Sequence, residues 1–246
     1  MLEKIDIHGI MIDNVTIDEA LDCVLDMLSG KTAKKVYTPN SEIIMQANRD
    51  AELKHLLNDA DLLVADGAGV VLASRILDRK LKQKVSGFDL VKRIFMNTDR
   101  RITSFFIFGG KPGVSEQASI NILSEFPRAN ILGYRNGYFN DVDIPDIIRQ
   151  INASKAEILL VGLGAPKQEK WIHEHAHELN CKVIMGIGGS IDVFAGTASL
   201  APEFIRKAGF EWLYRLLKEP SRYKRMVDLP RFMLLTFKIR LKKNRS

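Results

Sequence analysis

The segment EILLVGLGAPKQEKW, residues 157–171, restricts the fold of this chain more than any other segment. Its continuous apolar run at 158–161 is typical of a strand buried on both faces. Two glycines follow directly, and Pro166 suits the first turn of a helix, where its missing N–H costs nothing. A strand, a glycine loop and a helix N-terminus together point backbone N–H groups at an anion such as phosphate. A tight turn in an ordinary α/β domain is the alternative, because a single loop of this kind is weak evidence.

Two more segments repeat this design, which favours the first interpretation. FFIFGGKPG at 105–113 and VIMGIGGSIDVFAG at 183–196 each join an apolar strand to glycines and a helix start. VYTPN at 36–40 and LLVADGAG at 62–69 are further strands that end in polar residues. Because ligands of open parallel sheets bind beyond the carboxyl ends of the strands, we expect one crevice to collect these ends. Its predicted members are Thr38, Asn40, Asp66, Gly110, Gly164, Gln168 and Asp192.

Strand and helix patterns alternate along the rest of the chain. Helices are predicted after a hairpin at 5–16, over 17–30, 41–60, 69–80, 87–98, 113–126, 143–154 and 167–180. This alternation predicts an α/β fold, with a Rossmann-like, mainly parallel sheet and flanking helices. We expect an α/β catalytic domain over 1–200 and a basic helical appendage over 201–246.

The appendage differs from the body in charge. Residues 201–246 hold 13 Lys/Arg and 4 Asp/Glu, a balance of +9, whereas the whole chain carries +6. Aromatic and aliphatic residues lie among these cations, which is typical of helices in a membrane interface beside anionic headgroups. Nucleic-acid binding is the competing interpretation, although no nucleic-acid-binding motif supports it. A solvated basic helix pair that packs on its own domain is the third interpretation.

The N-terminal sequence and the cysteines indicate the cellular compartment of the protein. The segment MLEKIDIHG has no apolar core of a signal peptide, so we expect a cytoplasmic protein. Cys23 and Cys181 are too few for a disulfide framework and are interpreted as small core residues. No run approaches the roughly 20 apolar residues that a membrane span needs.

Long motifs, in register from about residue 5 to residue 226, resemble one known family. They are TPNSEIIMQANRD, DADLLVADGAGVV, VSGFDLV, FFIFGGKPGVSE, GYRNGYF, ILLVGLGAPKQEKW and GIGGSIDVFAGTASLAPEFIRKAGFEWLYRLLKEPSRYKR. On these motifs the chain closely resembles the WecG/TagA/CpsF glycosyltransferases, and most of all their TagA-type branch. The resemblance implies a family-specific fold around a Rossmann-like sheet, with a C-terminal appendage that meets the membrane.

The resemblance also implies an activity. The family transfers a sugar, with inversion and without a metal, from a UDP-sugar to a sugar on undecaprenyl pyrophosphate. The TagA-type branch transfers N-acetylmannosamine onto lipid-linked N-acetylglucosamine, the second sugar of the wall teichoic acid linkage unit. Relatives use other UDP-sugars, including those of N-acetylmannosaminuronic acid and glucose, so the donor stays open. We therefore expect UDP-N-acetylmannosamine, undecaprenyl-pyrophosphate-GlcNAc and the inner face of an anionic membrane as partners, and no nucleic acid.

Family roles fall on specific residues of this sequence. The resemblance places the catalytic base on Asp66, and the alternative is a helix cap for 69–80. Thr38 and Asn40 match the motif that orients the sugar, and a turn before a helix with Ser41 as its cap is the alternative. Gln168 and Asp192 lie in loops of the kind that read uracil or ribose, although Asp192 also suits a helix cap. The remaining predicted substrate-binding residues are Gly110, Tyr138, Gly164, Lys167 and Gly189.

Without a metal, the departing diphosphate needs cations. Arg215, Arg222 and Arg225 of the appendage are the candidates, because a guanidinium matches phosphate oxygens better than an ammonium does. Binding of these arginines to lipid headgroups alone is the alternative.

Three motifs suggest other chemistry. HEHAH at 173–177 matches a zinc-protease pattern but has no third ligand, and a solvated helix face is favoured. DVD at 141–143 resembles a metal-binding motif of other glycosyltransferases but precedes Pro145 and is interpreted as a loop and helix cap. The glycine loops at 162 and 186 lack the full dinucleotide-binding pattern. We expect no metal site and no cofactor.

A second function class stays open. A nucleotide-binding enzyme or sensor, whose basic tail contacts nucleic acid or a partner protein, is the alternative to a membrane-associated glycosyltransferase. Self-association in solution is also left open, because an exposed amphipathic tail can drive it.

Overall fold

The computed structural model describes residues 2–98, 103–207, 209–218 and 227–243. Its strands are β1 (Lys4–Ile7), β2 (Ile10–Asp13), β3 (Lys34–Tyr37), β4 (Leu62–Leu63), β5 (Ser104–Gly109), β6 (Asn130–Arg135), β7 (Ile158–Gly162) and β8 (Val183–Gly186). Its α-helices are α1 (Ile17–Met27), α2 (Ser41–Ala47), α3 (Ala51–Asn58), α4 (Ala68–Ile76), α5 (Gly87–Met96), α6 (Val114–Glu125), α7 (Ile144–Ser154), α8 (Lys167–His175), α9 (Ser190–Phe194), α10 (Glu203–Lys207), α11 (Glu211–Lys218) and α12 (Asp228–Lys243).

Six strands form one parallel sheet in the order β4-β3-β8-β7-β5-β6, and β1 pairs with β2 in a separate antiparallel hairpin. The two central pairings bring Val36 opposite Met185 and Val161 opposite Gly186. Because all six strands run in the same direction, their carboxyl ends lie along one edge. The predicted α/β fold with a mainly parallel sheet and flanking helices is confirmed.

Alternate residues of the strands enter two different cores. On one face, Leu159, Val161 and Ile184 pack with helices α2, α3, α4, α7, α8 and α12 and with the hairpin. On the other face, Ile158 and Leu160 pack with α1, α5, α6 and α9. Burial on both faces explains why β5 and β7 are continuous apolar runs rather than alternating ones.

The helix boundaries differ from the sequence prediction in four places. The single helix predicted over 41–60 is two helices, because the Asp50 side chain caps α3 by accepting the N–H of Leu53 at 3.0 Å. The predicted helix over 17–30 ends at Met27, before Gly30. The helices predicted over 69–80 and 167–180 also end early, at Ile76 and His175. The remaining predicted helices agree with the observed ones to within a few residues.

The C-terminal helix α12 packs against the body of the protein. Phe232 is fully buried, and its ring lies 4.5 Å from that of His8 in the turn of the hairpin. At the helix start, Asp228 accepts a hydrogen bond from Arg49 at 2.7 Å. Near its end, Arg240 pairs with Asp78. The division of the chain at residue 200 stays a prediction.

His8 makes the stability of this contact depend on pH. Its side chain is buried, its Nε2 lies 2.9 Å from the Thr236 hydroxyl oxygen, and burial lowers its pKa from 6.5 to about 4. In the unfolded chain His8 takes up a proton near pH 6.5, whereas in the folded chain it takes up this proton only near pH 4. The free energy of unfolding should therefore fall by about 3 kcal/mol on this account between about pH 7 and pH 4.

Chemical unfolding at a series of pH values tests this expectation. Asn tolerates the left-handed backbone of residue 8, whose φ is 57°. The variant His8→Asn should be less stable at pH 7 but should show a shallower fall in stability toward pH 4. Parallel pH profiles for the two proteins would contradict the assignment.

Candidate active site

One cavity of about 270 Å³ opens at the carboxyl ends of β3, β4, β7 and β8. Six of the residues predicted from the sequence line it. They are Thr38, Asn40, Asp66, Gly164, Gln168 and Gly189. The cavity therefore brings together predicted residues that are up to 151 positions apart in the sequence, from residue 38 to residue 189.

Backbone hydrogen bonds hold Asp66 between two loops. Its own N–H donates to the carbonyl oxygen of Pro39 at 3.1 Å. One residue earlier, the carbonyl oxygen of Ala65 accepts the N–H of Val85 at 2.9 Å. Helix α4 begins at Ala68, and its N-cap residue is Gly67, which has no side chain that could cap the helix. Asp66 is therefore not the N-cap residue of α4, the position that the structural alternative to a chemical role gave it.

Thr38 and Asn40 enter the cavity from the loop that follows β3. Asn40 Oδ1 accepts the N–H of Ile43 at 3.0 Å and so caps α2, in the position that the sequence analysis gave to Ser41. Thr38 packs closely against Gly87, where an added Cβ would lie 2.9 Å from the threonine hydroxyl oxygen. This loop is therefore fixed on both sides, and its polar side chains have defined positions at the cavity wall.

A hydrogen-bond chain fixes the carboxamide of Gln168. Its Oε1 accepts the N–H of Gly188 at 2.8 Å, and its Nε2 donates to Oε1 of Glu169 at 3.0 Å. Because one end of the amide accepts and the other donates, the orientation of the group is determined. One N–H of the amide and one lone pair of its oxygen are left to contact a polar ligand.

Glu169 supports this arrangement from a buried position. Its side chain is almost inaccessible to solvent, and burial raises the pKa of the carboxyl group. Neither Glu169 Oε2 nor the buried hydroxyl group of Tyr37 has a hydrogen-bond partner among the described residues. Burial also raises the pKa of Tyr37, and the neighbouring Glu169 carboxyl group adds to this effect. Two buried oxygen atoms, which no described residue pairs, thus lie at or next to the cavity wall.

Gly186, the last residue of β8, leaves the space that the Gln168 amide occupies. A Cβ at this position would lie 2.4 Å from Nε2 of Gln168 and 3.2 Å from Cδ1 of Tyr37. Since the tightest contact is with the end of a side chain rather than with the backbone, Gly186→Ala should displace the amide and break its two hydrogen bonds without disrupting the fold. We expect the KM for the UDP-sugar that the family resemblance implies to rise about tenfold, the equivalent of one or two lost hydrogen bonds.

A double-mutant cycle with Gln168→Ala separates this effect from general damage. If Gly186→Ala acts by moving Gln168, it should raise KM no further when Gln168 is already alanine. Fully additive increases in KM, or a large loss of thermal stability in Gly186→Ala alone, would contradict the explanation.

Several lining residues were not predicted from the sequence. Lys84 and Ser86 come from the connection between α4 and α5, which follows no strand, so the search for polar strand ends passed over them. Arg206, Glu211, Trp212 and Leu229 enter from the C-terminal helices. The family motifs gave the sequence signal for four of these residues. Ser86 lies in VSGFDLV, and Arg206, Glu211 and Trp212 lie in the motif that spans 186–225.

Four predicted binding residues lie outside the described lining of this cavity. Gly110 follows β5, and its N–H donates to the carbonyl oxygen of Gly162 at 3.1 Å. Tyr138 is exposed, and Lys167 Nζ lies 4.0 Å from the centroid of the Phe139 ring. Asp192 lies inside α9 rather than at its start, so it does not cap that helix. Ligand contacts of these four residues stay predictions.

The predicted arginines of the appendage cannot be placed in this site. Arg222 and Arg225 lie outside the described residues, as does the side chain of Arg215. The described cations that line the cavity are Lys84 and Arg206.

Residues of the two motifs that suggested metal binding contact other residues of the protein. His175 Nδ1 lies 2.8 Å from Oε1 of Glu178, and α8 ends at His175, before His177. Asp143 accepts the N–H of Asn140 at 2.9 Å at the entry to α7. Within the described ranges, no three His, Cys, Asp or Glu side chains are grouped as a metal site would require.

The C-terminal helices expose apolar side chains among their cations. The most exposed of them are Phe204, Phe210, Leu217, Leu234, Phe237 and Leu241. None of the described helices combines the length and the hydropathy needed to cross a bilayer.

Comparison with known proteins agrees with this geometry. Residues 5–246 match the glycosyl transferase WecG/TagA/CpsF family. An N-acetylglucosaminyldiphosphoundecaprenol N-acetyl-beta-D-mannosaminyltransferase of Bacillus subtilis (strain 168) is 32% identical over 233 residues, which cover 94% of this chain and 90% of the relative. The protein of the same name from Staphylococcus aureus (strain MRSA252) is 32% identical over 232 residues, 94% of this chain and 91% of the relative. The chain therefore belongs to the WecG/TagA/CpsF family of glycosyltransferases.

Proposed function

We propose that this glycosyltransferase moves N-acetylmannosamine from UDP-N-acetylmannosamine to N-acetylglucosaminyl-diphospho-undecaprenol, with inversion, in the synthesis of a wall teichoic acid linkage unit. The names of the two relatives supply the acceptor and the transferred sugar. The observation that carries the proposal is the cavity itself, which gathers Asp66, Thr38, Asn40 and Gln168 at the ends of four parallel strands.

In this proposal Asp66 acts as the general base. Its carboxylate accepts the proton of the attacking acceptor hydroxyl, whose oxygen forms the new bond to the anomeric carbon of the donor sugar. The bond from that carbon to the UDP oxygen breaks on the opposite face, which inverts the configuration. Thr38 and Asn40 orient the sugar from the neighbouring loop, and Gln168 reads the nucleotide through its fixed amide.

Negative charge builds on the UDP oxygens as the bond breaks, so cations must face them. The tail residues Arg215, Arg222 and Arg225 are proposed to supply these cations, because residues 201–246 hold 13 Lys/Arg against only 4 Asp/Glu. A tail that completes the site would couple transfer to the membrane where the acceptor resides.

The exposed apolar and cationic side chains of α10–α12 support a peripheral position on the inner face of an anionic membrane. A donor other than UDP-N-acetylmannosamine, for another surface polysaccharide, is the second candidate. It is favoured by no specific contact of the described residues.

An assay of UDP release tests both the proposed reaction and the identity of the donor sugar. The protein should release UDP from UDP-N-acetylmannosamine in the presence of a lipid-linked N-acetylglucosamine acceptor, and faster than from UDP-sugars of glucose or N-acetylmannosaminuronic acid. A preference for one of those donors would support the proposed class of reaction but identify a different transferred sugar. No acceptor-dependent release from any donor would contradict the proposal and favour a nucleotide-binding protein instead.

We expect transfer to persist in excess EDTA, because side-chain cations are proposed to take the charge of the leaving group. Elemental analysis of the purified protein should find no stoichiometric zinc despite the HEHAH segment. Complete loss of activity on chelation, with recovery on adding Mg²⁺, Mn²⁺ or Zn²⁺, would contradict this expectation.

A further inference from the structure

A second cavity, of about 870 Å³, opens beside the first. The two cavities share part of their walls, in particular Lys84, Arg206, Trp212 and Leu229. Beyond this shared wall, the second cavity is lined by apolar side chains of the C-terminal segment and of α4. They are Val71, Leu72, Phe210 and Met233. One continuous surface thus runs from Asp66, past two cations, to an apolar groove.

Arg206 and Lys84, the two cations that both cavities share, each contact one carboxylate and keep donors for a further anion. Arg206 Nη1 donates to Oδ1 of Asp89 at 3.1 Å, while its buried Nε has no hydrogen-bond partner among the described residues. Lys84 Nζ lies 3.6 Å from Oε2 of Glu211, a distance that leaves room for stronger partners. Each carboxylate orients its cation, so both side chains are positioned in advance for an anion.

The balance of charge also fits an anion. Four cations and two carboxylates line the second cavity, and the other two cations are Arg75 and Lys82. Its apolar walls do not suit a nucleotide, whose base and ribose need polar partners. Leu72 and Phe210 are about half exposed, so the groove opens outward to a surface where apolar groups are already exposed.

Resting on the proposed function, we propose that this groove binds the polyprenyl diphosphate part of the acceptor, with Arg206 and Lys84 on its diphosphate. The order of groups in the acceptor is sugar, diphosphate, lipid. The order along the surface is catalytic carboxylate, two cations, apolar groove. Binding in this direction places the acceptor sugar beside Asp66 and leads the lipid outward.

Calorimetric binding of three probes to the full chain tests the inference. Farnesyl diphosphate combines both groups and should bind at least about tenfold more tightly than inorganic pyrophosphate, because its hydrocarbon is buried. Arg206→Gln should weaken farnesyl diphosphate about tenfold, through loss of charge-assisted hydrogen bonds, and leave UDP within about twofold. Leu72→Ser, at a half-exposed position, should weaken farnesyl diphosphate but not pyrophosphate.

Arg149→Gln is the matched control. It removes the same charge from the exposed face of α7, outside the described walls of both cavities, and should change none of the three affinities. Equal affinity for farnesyl diphosphate and pyrophosphate would overturn the inference. So would an Arg206→Gln variant that loses affinity for UDP but keeps it for farnesyl diphosphate, since the junction would then hold the leaving group.

Failure of this inference is distinguishable from failure of the proposed function. If transfer to a lipid-linked acceptor occurs and farnesyl diphosphate does not compete with that acceptor, the inference is wrong and the proposed function stands. If farnesyl diphosphate binds as expected and no donor supports transfer, the groove is supported and the proposed reaction is wrong.

Discussion

Replacing Asp66 with asparagine should lower turnover by ~10²–10⁴-fold, because the neutral amide cannot accept the proton of the attacking hydroxyl. The substitution keeps the size of the side chain, and the backbone hydrogen bond from residue 66 to Pro39 does not depend on it. Titration with UDP-N-acetylmannosamine should therefore give nearly the same Kd, while kcat in the transfer assay falls.

Asp141→Asn is a suitable control, because it removes the same charge from an exposed carboxylate in the turn before α7, outside the described walls of both cavities. It should turn over at the rate of the unmodified protein. A near-normal kcat in Asp66→Asn would contradict the assignment of Asp66 as the base.

The second large effect concerns the arginines of the tail. Arg215→Ala, Arg222→Ala and Arg225→Ala should each lower transfer to a water-soluble, short-chain acceptor at least about tenfold, because each removes a cation that faces the leaving diphosphate. Binding to anionic vesicles should change little in each variant and should weaken as salt rises. Both quantities are measured on the same protein preparations.

Truncation is a weaker form of this test. Deletion of 201–246 is expected to abolish transfer, but it also removes Phe232 from the core and the Thr236 partner of His8. The point variants avoid this ambiguity. Lys238→Ala, at an exposed cation of α12, should leave transfer to the soluble acceptor intact. Normal transfer in all three arginine variants, with weakened vesicle binding, would show that the tail is an anchor only.

The sheet was predictable from the sequence because its signals are local. The apolar runs of β5 and β7 are buried on both faces, and the glycines after them mark the strand ends. From the direction of parallel strands alone, Thr38, Asp66 and Gln168 were expected at one edge, and all three line the same cavity.

Other features depend on contacts between distant segments and carry no local signal. Glu169 belongs to a polar-looking helix, yet it is buried against Tyr37 and Gln168. Arg206 enters the site only because the C-terminal helices fold over the strand ends. The break before Asp50 depends on a single side-chain cap competing with an otherwise helical pattern.

Identification of the product tests the central claim most directly. The protein is incubated with UDP-N-acetylmannosamine and a lipid-linked N-acetylglucosamine, and the lipid product is analysed by mass spectrometry and by NMR of its anomeric carbon. We predict one added N-acetylhexosamine in β linkage, with UDP released in equal amount. An α-linked product, or UDP-sugar hydrolysis that leaves the acceptor unchanged, would contradict an inverting transfer at this site.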